Sequence, residues 1–160
     1  MRKGFTLIET IIYAAILALT IGFVLSATYQ IILGSEDIER IAAVEEEANF
    51  ILGKFRWAMA SASDINSPAS GVSGDSLSID RFNYNDNPVE FDLNGTNIRI
   101  QKNNGGWLEL NSERTIISNL EFTHIASVGD RPAGVRINLD IQDYLEENER
   151  VFETTIYLHE

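Results

Sequence analysis

Cysteine is absent from the 160 residues, which excludes disulfides, thiolate metal sites and cysteine nucleophiles. Proline is scarce, three in all and none before Pro68, so no proline breaks a helix in the first part of the chain. Histidine occurs only at His124 and His159. No H-E-x-x-H, phosphate-loop or dinucleotide fingerprint is present. Gly71-Val72-Ser73-Gly74-Asp75 fails the G-x-S-x-G pattern at its last position. These absences predict a protein that is not an enzyme. Cations are also few: 12 Lys+Arg face 24 Asp+Glu, a net charge of −12. A surface this acidic repels phosphate backbones and argues against direct nucleic-acid binding.

What is abundant is apolar sequence, and it is unevenly spread. From Thr10 to Ser35 run 26 residues without a formal charge, most of them Ile, Leu, Val, Phe, Tyr or Ala. As a helix they would reach about 39 Å, enough for a hydrocarbon core of roughly 30 Å. Arg2 and Lys3 precede the run and predict a cytoplasmic start, with the rest of the chain outside the cytoplasm. Residues 36–160 then carry a net −13. The composition is that of a membrane-anchored acidic domain.

Helical periodicity continues past the apolar run. Ile38, Ile41, Ala48, Leu52, Phe55 and Met59 recur at three- and four-residue spacing, predicting one helix from about residue 6 to residue 60. Residues 61–76 read as a short Ser/Gly-rich connection. Beyond them the period drops to two. Leu77/Ile79, Val89/Phe91/Leu93, Ile98/Ile100, Leu108/Leu110, Leu120/Phe122, Val135–Ile141 and Phe152–Leu158 alternate with polar residues. Asn94-Gly95 and Asn103-Asn104-Gly105-Gly106 read as hairpin turns. The predicted fold is α+β. A long N-terminal helix, transmembrane over 5–35 and amphipathic over 36–61, packs on a C-terminal antiparallel sheet.

Two features of the apolar helix go beyond anchoring. Ala14, Ala18, Gly22 and Ser26, four residues apart, form a small-residue stripe of the kind that lets helices approach closely in lipid. Glu9 places a carboxylate at the head of the run, where a charge is costly and points to a function and a partner. Asp140, Asp143, Glu146, Glu147 and Glu149 are the one cluster of hard oxygen ligands. Such ligands could hold Ca²⁺, but the order of an EF-hand is missing, so a solvated charged turn is the expectation, with no metal or cofactor.

Lys3-Gly4-Phe5-Thr6-Leu7-Ile8-Glu9 resembles the processing signature of type IV pilins and type II secretion pseudopilins. The resemblance implies that residues 1–4 are a leader, cut after Gly4 by a prepilin peptidase. Phe5 would then be the N-methylated first residue of the mature subunit, and Glu9 its characteristic fifth-position acid. A subunit entering a fibre could set its Phe5 amine against Glu9 of a neighbour. The implied partners are other pilin or pseudopilin subunits, the peptidase, an inner-membrane assembly platform and membrane lipid. Among subfamilies the chain is similar to the J-type pseudopilin and the W-type minor pilin. The helix-interrupting proline of many pilins is missing. The competing expectation is a single-pass signal-anchor protein whose acidic β domain binds a ligand and never polymerises.

Overall fold

The computed structural model describes residues 6–145 and 149–158. One helix, α1, spans Leu7–Met59, within one residue of the limits that the absence of proline and the hydrophobic period predict. It has 53 residues. Arg56 lies in the last turn, where a cation suits the helix dipole. The chain divides between Ile41 and Ala42 into two compact units. The first holds the apolar part of α1; the second holds the rest of α1 and every strand.

Among the described residues nine strands follow: β1 Ala62–Ser67, β2 Ser73–Gly74, β3 Ser76–Arg81, β4 Val89–Asn94, β5 Asn97–Lys102, β6 Leu108–Glu109, β7 Thr115–Ile125, β8 Gly134–Asp143 and β9 Arg150–Tyr157. They form two antiparallel sheets, not the single sheet expected. One has the order β1-β3-β4-β5-β6 and the other β2-β7-β8-β9. Every alternating run named from the sequence lies in a strand or abuts one. Gly95 (φ 65°) turns β4 into β5 with Asn94 paired to Asn97, and Asn103 and Asn104 (φ 49° and 51°) turn β5 back toward β6. Positive φ is what Gly and Asn tolerate best, which is why both turns were legible.

The connection over 62–76 contains β1 and β2, which the sequence reading missed. A register shift between Ala62 and Asp64 breaks the alternation in β1. Its buried residues, Ala62 and Ile65, therefore stand three apart and hide the two-residue period.

The core is shared by α1 and the inner faces of both sheets. Val44, Ala48, Ile51, Leu52, Phe55, Ala58 and Met59 supply the helix side. The expected stripe was too long at its start, since Ile38 is 68% exposed and Ile41 37%. The helix face becomes covered only from Val44 onward. Phe55 joins the layers: its ring stands edge-on to Phe91 of β4 at 4.8 Å and to Phe122 of β7 at 5.3 Å. Aromatic pairs in this geometry add about 0.5–1.5 kcal/mol beyond area burial. Polar stitching between the sheets comes from buried Asn111. Its Oδ1 accepts from Ile98 N of β5 at 2.8 Å, and its Nδ2 donates to Thr115 O of β7 at 3.2 Å. The result is α+β, a long apolar N-terminal helix joined to C-terminal antiparallel sheets, which is a pilin-like architecture.

Candidate functional site on the N-terminal helix

Gly4 and Phe5, the residues assigned to leader cleavage and N-methylation, lie outside the described residues. Thr6 is the residue before the helix, and it forms a reciprocal cap with Glu9. Glu9 N donates to Thr6 Oγ1 at 3.4 Å, and Thr6 N donates to Glu9 Oε2 at 3.4 Å. This is a capping box, which satisfies two of the free N–H groups at a helix start. Its signal, Thr-x-x-Glu before an apolar run, stands in the sequence at Thr6–Glu9 and was not read there. Tyr13 Oη donates to the other carboxylate oxygen, Oε1, at 3.3 Å. Glu9 thus has a local role, with both oxygens accepting from neutral donors. Among the described residues it forms no ion pair.

Beyond Glu9 the helix surface suits lipid. Its most apolar 18-residue window has a mean hydropathy of 2.2 and no residue buried by the rest of the chain. The helix is long and apolar enough to cross a membrane. Threonines along it hide their hydroxyls from the surroundings. Thr10, Thr20 and Thr28 each donate to the carbonyl four residues earlier, at 3.3, 2.8 and 2.9 Å. In hydrocarbon, where no water can serve, such internal bonds remove the cost of a bare hydroxyl.

Ala14, Ala18, Gly22 and Ser26 are all exposed. Among the described residues, nothing beyond the helix's own backbone lies within 4 Å of a Cβ built on Gly22. The small size of this stripe therefore serves no packing inside the chain.

The residues examined for catalysis and metal binding have structural partners. Ser73 Oγ shares a 2.8 Å hydrogen bond with Thr123 Oγ1, and His124 Nδ1 meets Pro68 O at 2.8 Å. His159 lies outside the described residues. In the acidic cluster, Asp140 accepts from Asn119 Nδ2, Asp143 from Leu145 N, and Glu149 from the Ser118 hydroxyl. Glu146 and Glu147 lie outside the described residues. Among the described residues no group of three or more His, Asp or Glu could hold a metal ion.

Arg99 is held above its ordinary value chiefly by its hydrogen bonds to Asp92, its cross-strand partner, at 3.0 and 2.5 Å. That pair braces the β4–β5 hairpin. Comparison with protein-family models, with curated proteins and with solved structures gave no match.

Proposed function

We propose that this chain is a minor pilin or pseudopilin, a non-catalytic subunit of a type IV pilus-like or type II secretion fibre. In this reading it is made in the inner membrane with its start in the cytoplasm and its sheets outside. A prepilin peptidase cuts it after Gly4, and Phe5 is N-methylated. An assembly platform then moves the subunit from lipid into a fibre of related subunits. The observation that carries the reading is the contrast along α1. From Val44 its inner face is buried in a core, whereas its most apolar window has no cover among the described residues. A helix of that kind is stable only if lipid or other helices cover it. The bare stripe at Ala14, Ala18, Gly22 and Ser26 supports the second kind of cover.

The capping box favours the signal-anchor reading to one degree: it gives Glu9 a use that needs no neighbour. The two uses separate on Glu9→Gln. A capping box accepts Gln at this position as it accepts Glu. A neighbour's Phe5 amine needs the charge, and stripping one partner from a buried pair typically costs about 3–5 kcal/mol. Glu9→Gln protein should therefore insert and lose its leader normally. Its share in sheared fibres, read by quantitative blotting against the membrane fraction, should fall by about a hundredfold. Incorporation equal to wild type would reduce Glu9 to a helix cap.

A further inference from the structure

A groove of about 440 Å³ opens between α1 and the β5–β6 hairpin. Phe50, Gly53, Lys54 and Trp57 line it from the helix, Lys102 and Leu108 from the sheet. Gly53 sits in a helix interior, where glycine is less favourable than alanine. Among the described residues, nothing beyond the helix's own backbone lies within 4 Å of a Cβ built there. No packing among them asks for glycine at this position, and the space is open to an outside group.

The cations at the groove also lack acidic partners. Lys54 and Lys102 are the only lysines after Lys3 in the chain, and both line the groove. Among the described residues neither forms an ion pair. Lys54 Nζ stands 4.9 Å from the Phe50 ring centre, and Lys102 Nζ stands 4.8 Å from that of Trp57. Two chains of net charge −12 repel one another, so a contact between copies is favoured where such cations meet carboxylates.

Beside the groove stands the loop from β3 to β4, residues 82–88. Its Tyr84 ring lies edge-on to Trp57 at 6.0 Å, and the Arg81 guanidinium carbon lies 4.0 Å from the centre of the same Trp57 ring. Asn87 clasps the base of the loop. Its Oδ1 accepts from Arg81 N at 2.9 Å, and its Nδ2 donates to Arg81 O at 2.8 Å. Phe82 N donates to Ser61 O at 2.8 Å. The backbone is thus held, yet the Phe82 side chain is 72% exposed. Asp80 and Asp86 flank Phe82 in the sequence, and among the described residues neither forms an ion pair. A large apolar side chain between carboxylates is the complement of an apolar groove between lysines.

We infer that the groove receives Phe82 of a second copy of this chain, with that copy's Asp80 and Asp86 facing Lys54 and Lys102. Loop and groove adjoin at Trp57, so one two-fold rotation makes both contacts at once: each copy gives its Phe82 and receives the other's. All the residues named lie in the unit Ala42–Glu160. Such a pair closes on itself and does not propagate. It is independent of the pilin reading and uses neither Phe5 nor Glu9.

The absence of cysteine makes the test direct. Two differently tagged full-length chains, Phe82→Cys and Leu108→Cys, are produced together and treated in isolated membranes with a short bismaleimide. In a two-fold pair the second contact keeps its natural residues and holds the partners while the first is linked. The mixed cross-link should form at about ten times the yield of a Val128→Cys and Leu108→Cys control. Val128 is as exposed as Phe82, at 73%. Lys54→Glu with Lys102→Glu in the Leu108→Cys chain should return the yield to the control level. Asp80→Lys with Asp86→Lys in the Phe82→Cys chain should then restore it. Phe82→Ser in the Leu108→Cys chain removes the second contact and should lower the yield too, with an unchanged melting curve because the side chain is exposed. A mixed yield no greater than the control overturns the inference. So does a yield that survives the lysine reversals or Phe82→Ser, or one that stays low after the charges are exchanged. A chain carrying both cysteines should link no further than the dimer, and a ladder of larger products would overturn the two-fold pairing.

Discussion

Phe55 is the residue at which the helix and both sheets meet. It is fully buried and edge-on to Phe91 and Phe122. Phe55→Ala should destabilise the folded protein by about 3–5 kcal/mol in a denaturant titration. Exposed Glu46→Ala should stay within about 0.5 kcal/mol. Equal small effects would mean that α1 does not anchor the sheets. Gly134 is a second sensitive point, for a different reason. A Cβ there would stand 2.7 Å from Ile156 O and 2.8 Å from the Tyr157 ring, so Gly134→Ala must push β9 away from β8. A cost of about 1–3 kcal/mol and faster amide exchange along β9 are expected; an unchanged melting curve would contradict that packing. Legibility at this scale followed periodicity. Ala48, Leu52, Phe55 and Met59 could be named because they obey helical spacing. Asn111 could not, because nothing in a single asparagine shows that two sheets will close around it.

Among elements, α1 shows most clearly how far sequence patterns reach. Its limits were readable because proline is missing and the period of 3.6 is sustained. The start of its buried face at Val44 was not, since Ile38 and Ile41 fit the same period but remain in part exposed. Sheet membership was likewise hidden. Period two identifies strands without stating which sheet receives them, and the bulge in β1 removed even that signal. The apolar part of α1 yields its own prediction. Because no other part of the described residues lies near Gly22, Gly22→Leu should leave the melting curve of residues 42–160 unchanged. If the small-residue stripe meets other helices, the same change should lower the amount of the protein in sheared fibres by tenfold or so. Unchanged fibre content would show that the stripe faces lipid alone.

For the whole molecule, the division at Ile41/Ala42 separates an apolar helix from a unit with its own core. A fragment beginning near Ser35 should therefore fold without the membrane segment and melt cooperatively. A fragment with no cooperative transition would mean that the sheets depend on the apolar helix. The central claim, a subunit processed for assembly, rests on the seven residues Lys3–Glu9 and on a helix whose apolar window has no cover among the described residues. Intact-mass measurement of the protein extracted from membranes, with the prepilin peptidase present, tests it most directly. The account predicts a chain that begins at Phe5, lacks residues 1–4 and carries one added methyl group, whereas Gly4→Val should keep the full length. A wild-type mass that still includes residues 1–4 would contradict it.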